Sequence, residues 1–76
     1  MDRDGIKKEL ERQLTEINYR IEVLDMMDER LFKMKKLLEK IEVGKVSKEE
    51  EETIRTEISE LEDEFNLLNR ENNLQS

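Results

Sequence analysis

The chain has no cysteine, no histidine, no tryptophan and no proline, and only two glycines. Without cysteine it forms no disulfide and offers no thiolate to a metal. Without histidine it lacks the commonest transition-metal ligand and the commonest general base near neutral pH. Without proline nothing in its interior forces a helix to end. No apolar run approaches the roughly 18 residues of a membrane span. The opening Met1-Asp2-Arg3-Asp4-Gly5 does not read as a signal peptide. These absences lead to the expectation of a cytoplasmic protein with no cofactor, no metal and no small-molecule substrate.

What is present is charge and periodicity. Charged residues make up 46% of the 76 positions and hydrophobic ones 34%, with a net charge of −7. Nucleic-acid binding needs clustered Lys and Arg unopposed by acids, so neither DNA nor RNA is an expected partner. A chain this short buries little of its own surface and usually needs a staple. With disulfides and metals excluded, association is the one that remains.

The spacing predicts an all-α antiparallel hairpin and a single domain over 1–76. Helix one covers about 5–43, a tight turn 44–47, helix two about 48–73, and a frayed tail 74–76. Gly44 supplies the left-handed residue that closes a helix end. Ser47 reads as an N-cap, with Glu50 three residues on completing a capping box. Asp4 reads as the cap of helix one. On helix two, Ile54, Ile58, Leu61, Phe65 and Leu68 alternate at 4 and 3 residues, a heptad seam. On helix one, Leu10, Leu14, Ile17, Ile21 and Leu24 do the same. Met27, Leu31, Met34, Leu38 and Ile41 then continue after a second consecutive 3-step, which predicts a stammer near Asp28.

With that stammer the two seams match level by level. Leu38 faces Ile54, Met34 faces Ile58, Leu31 faces Leu61, Met27 faces Phe65 and Leu24 faces Leu68. Lys36 with Glu57, Lys33 with Glu60 and Arg30 with Asp63 are the matching ion pairs. Each is worth roughly 0–1 kcal/mol when exposed.

One chain cannot cover all of this. Helix one is expected to span roughly 58 Å and helix two roughly 38 Å, so Ile6, Leu10, Leu14 and Ile17 overhang. Between residues 23 and 41 the apolar stripe of helix one is roughly 140° wide, enough for two helical neighbours. The simplest closed solution is a C2 homodimer with the long helices antiparallel, a four-helix bundle; a parallel pairing or another protein's helix would use the same surface. Ile6, Leu10, Leu14, Ile17, Val23 and Leu37 are the candidate seam for a second copy or another protein.

No catalytic constellation is present. Thr15, Ser47, Thr53, Thr56, Ser59 and Ser76 carry the hydroxyls, and no base is placed to activate them. The acids Glu49 to Glu52 lack the ligand spacing and central glycine of a calcium loop. Charge is nevertheless uneven. Residues 47–76 hold three basic and ten acidic side chains, net −7, whereas 1–46 balance. Glu50, Glu51, Glu62, Glu64 and Glu71 form a candidate acidic face for a basic partner.

The stretch Ser59-Glu60-Leu61-Glu62-Asp63 on an acidic hairpin loosely resembles the Ser-Gln-Glu-Leu-Asp motif of small sporulation-type aspartyl-phosphate phosphatases, displaced by one residue. That resemblance implies a regulator of response-regulator phosphorylation, and it assigns no site residue here. The residues themselves favour a non-enzymatic interaction module: an adaptor, a chaperone or an inhibitor of a larger partner. A purely structural coiled-coil element is the third reading.

Overall fold

The computed structural model describes residues 3–74. It is a hairpin of two helices, α1 (Arg3–Val43) and α2 (Lys48–Leu74), 66 Å long and only 17 × 12 Å across. Met1, Asp2, Gln75 and Ser76 lie outside the described residues. Leu74, expected in the tail, is the last residue of α2.

The turn forms as its residues dictate. The Gly44 N–H donates to the Ile41 carbonyl at 3.0 Å, and Gly44 takes φ of +72°, a region that costs any residue with a Cβ. Ser47 caps α2: its Oγ accepts from the Glu50 N–H at 3.1 Å. Its carbonyl accepts the first helical bond, from Glu51, at 2.9 Å. Val46 is half-buried beneath the turn. Helix α1 begins one residue ahead of Asp4. That carboxylate therefore lies in the first turn, where the helix dipole favours it, and not at the cap.

The interface between the helices departs from the expected seam. On α2 the inward residues are Ile54, Ile58, Leu61, Phe65 and Leu68, as the spacing predicts. On α1 they are Arg20, Val23, Met27, Arg30, Met34, Leu37 and Ile41. These alternate at 3 and 4 residues without a break, so there is no stammer. Leu24, Leu31 and Leu38 stay 46, 47 and 49% exposed. The opposing level is kept, but Val23 and Leu37 stand where Leu24 and Leu38 were expected, and Arg30 replaces Leu31.

The physical reason is Arg30. A seam that excludes arginine has to jump at this level. In the fold Arg30 lays its aliphatic stem into the interface and carries its guanidinium out to the rim. Its side chain is 23% exposed, and its Nε donates to Glu64 at 3.2 Å. The predicted partner Asp63 is one residue away and is not used. Lys33 pairs with Glu29 at 3.1 Å and Lys36 with Glu39 at 3.7 Å, each along α1. The lysines therefore answer their own helix and not Glu60 and Glu57.

The core is thin. Val23, Met27, Met34 and Ile54 are the buried hydrophobic residues. Among the described residues no helix is long and apolar enough to cross a membrane.

Candidate interaction surface

Removing the α2-facing residues from α1 leaves a second apolar line. Leu10, Leu14, Ile17, Ile21 and Leu24 alternate at 4 and 3 residues, and Asp28, Leu31, Lys35 and Leu38 continue the alternation unbroken. Together with Ile6, every aliphatic residue on this line is between 46 and 60% exposed. At 100° per residue the line lies about a quarter-turn around α1 from the α2-facing one. Near the free end Arg3, Ile6, Lys7, Leu10, Glu11 and Leu14 border an open trough of about 430 Å³.

The two lines of α1 differ in where they are apolar. The α2-facing line is apolar only along the length α2 covers. Past Arg20 it continues toward the N-terminus as Glu16, Gln13 and Glu9. There Arg12 bonds Glu9 and Glu16, both at 2.5 Å, and Gln13 Nε2 donates to Glu9 at 3.2 Å. Hydrogen bonds from Arg12 and then Gln13 hold the Glu9 carboxyl below its usual range. This side of the overhang is satisfied by its own polar side chains. The exposed line keeps its aliphatic residues from Leu10 to Leu38.

Leu10, Leu14 and Ile17 thus lie on the exposed line, and Ile6 is exposed beside it, next to Lys7. Val23 is enclosed by α2 at 2% exposure, and Leu37 is half-buried against α2 with its remaining surface in a groove on the flank of the hairpin, off the exposed line. The residues that take their places are Ile21, Leu24, Leu31 and Leu38. Their signal was present in the sequence as the second unbroken 3–4 alternation. It was obscured because Asp28 and Lys35 occupy two of its positions.

The acidic residues are less free than their spacing implies. Glu51 accepts from Arg55 at 2.8 Å, Glu64 from Arg30, and Glu71 from the Tyr19 hydroxyl. Glu50 and Glu62 are exposed. In the five-residue stretch Ser59–Asp63, Leu61 is half-buried in the interface and the four polar residues are exposed. A groove of about 380 Å³ runs along one flank of the hairpin, between Phe32, Lys36 and Leu37 on α1 and Glu57, Leu61 and Glu64 on α2. The Lys36 ammonium sits 5.3 Å from the centre of the Phe32 ring, a cation–π contact that covers one side of an exposed aromatic. Among the described residues no group of three or more acidic side chains is placed to hold a metal ion.

No family model, no curated protein and no solved structure matches this chain.

Proposed function

We propose that the chain is a small non-enzymatic protein–protein interaction module, an adaptor, chaperone or inhibitor, that self-associates through α1. The observation that carries this reading is the exposed line Ile6, Leu10, Leu14, Ile17, Ile21, Leu24, Leu31 and Leu38. A soluble monomer scatters its exposed hydrophobic residues singly, and a contiguous row marks a contact surface. Covering the half of each side chain now in water contributes about 1 kcal/mol per residue. Over two copies that is about 16 kcal/mol, comparable with the roughly 4–15 kcal/mol cost of association. Helix α2 and the acids not engaged by the hairpin then form the outer surface available to a further protein.

The test is a paired substitution on the exposed line, Leu14→Gln with Leu31→Gln. Both positions are exposed in the hairpin and glutamine is a good helix former. The expected result is unchanged helicity with self-association lost in sedimentation. A variant that assembles as tightly as the parent chain overturns the reading.

A further inference from the structure

We infer that the second copy lies antiparallel along α1, with the two-fold axis passing between Ile21 and Leu24. The inference rests on the self-association proposed above and specifies its geometry. It follows from where the charges sit on the exposed line. Leu10, Ile17, Leu24, Leu31 and Leu38 repeat every seven residues and are all aliphatic. The alternate positions Lys7, Leu14, Ile21, Asp28 and Lys35 also repeat every seven and hold every charge on the line.

Parallel pairing sets each position against its own copy. Lys7 would meet Lys7 of the second copy, Asp28 would meet Asp28 and Lys35 would meet Lys35. That is three layers of like charge in a desolvated seam, each destabilising. Antiparallel pairing sets the two position classes against each other, so no charge on this line meets its own kind. Of the antiparallel registers, which differ by steps of seven residues, two give every aliphatic residue from Leu10 to Leu38 an opposing layer, and one of these also brings opposite charges together at both ends. In it Ile21 faces the second copy's Leu24, Leu14 its Leu31, Ile17 its Asp28, Leu10 its Lys35 and Lys7 its Leu38. A step one way sets Leu10 against the second copy's Glu42 and brings Glu9 and Glu11 to the level of its acidic Glu49 to Glu52, and a step the other way strands Leu38 beyond the end of the second copy's α1.

This register also accounts for the overhang. The bare N-terminal part of each α1 runs beside the part of the second copy's α1 that carries its α2. Arg3 comes to the level of the second copy's Glu49 to Glu52, the acidic opening of α2, and Lys7 lies within a turn of Glu52, so opposite charges meet at both ends. Ten layers of an α-helix seam run about 48 Å. At about one helix diameter in width they remove about 1,000 Å² from two copies, the floor for a specific interface.

The absence of cysteine from the chain makes the test clean. Leu14→Cys and Leu31→Cys are prepared singly, one with a tag, and oxidised alone and after unfolding and refolding together. The expected result is a disulfide in the mixture and none in either variant alone. A Leu14→Cys chain that crosslinks to itself overturns the orientation. Stronger crosslinking of Leu14→Cys to Leu24→Cys or Leu38→Cys overturns the register. Circular dichroism checks folding, and Ile21→Cys with Leu24→Cys serves as a second pair near the axis if a first variant is misfolded. The mass of the parent chain separates the two levels of the argument. A dimer that crosslinks wrongly removes only this geometry, whereas a monomer removes the self-association beneath it.

Discussion

The Tyr19 hydroxyl donates a hydrogen bond to the Glu71 carboxylate, from the middle of α1 to the last turn of α2. It fastens the open end of the hairpin at the level where the apolar interface runs out. The residues there are Arg20 on α1 and Asn72 on α2, both half-buried. The hydrogen bond to Glu71, followed by desolvation, raises the phenol pKa above its ordinary value of 10.0. The protonated phenol is the bonded form. A raised pKa in the folded state means that the contribution is fully present below the unfolded pKa, and it is lost as pH rises through the folded one. Tyr19 is the only tyrosine, so spectrophotometric titration reads it directly. It should ionise later than free tyrosine, and Glu71→Gln should bring it back toward the ordinary value. A titration unchanged by Glu71→Gln would count against the clasp.

The assignment of the two lines on α1 is tested by neighbours in sequence. Met27 is buried against α2 and Leu24 is exposed. At concentrations where the chain is a monomer, Met27→Ala should cost about 2–4 kcal/mol, and Leu24→Ala under about 1 kcal/mol. Urea unfolding measures both. Equal costs would restore the shifted seam that the sequence suggests.

That shifted seam shows what was and was not legible. The hairpin, the turn at Gly44 to Ser47 and the whole inward face of α2 could be read from spacing and capping chemistry. The inward face of α1 could not, because it carries two interleaved alternations and the apolar residues of both are similar. Asp28 and Lys35 tipped the reading, because both fall on the line that Leu10 to Leu24 begin. Avoiding them forced a jump toward the other line, and the jump produced matched pairs at every level with Leu24, Leu31 and Leu38 in place of Val23, Arg30 and Leu37. Periodicity records which positions are apolar, but not that an arginine stem can fill a layer while its head reaches Glu64. Ile6, Leu10, Leu14 and Ile17 were legible as uncovered from the shortness of α2, but they face away from α2 as Ile21 and Leu24 do, and a longer α2 would leave them exposed.

Gly44 gives a clean backbone test. A Cβ placed there meets nothing within 4 Å, so the positive φ alone sets the cost of Gly44→Ala, about 1–2 kcal/mol. Thermal unfolding should show that loss with no change in helix content. A neutral substitution would mean that the turn closes in another conformation.

Asp28 occupies the exposed line and faces Ile17 of the second copy in the antiparallel pairing. A carboxylate enclosed there opposes association. Asp28→Leu should tighten the dimer about tenfold or more, a change of about 1.4 kcal/mol, as read by the dissociation constant in sedimentation. An unchanged constant would place Asp28 outside the contact.

One line of α1 faces α2 in the hairpin, and the other is the one proposed to bind a second copy. Sedimentation equilibrium of the unaltered chain across a concentration series tests that proposal most directly. The mass should rise from that of the 9.2 kDa chain to twice that value and level off there. A well-folded chain that stays at 9.2 kDa up to the highest concentration that remains in solution would contradict it.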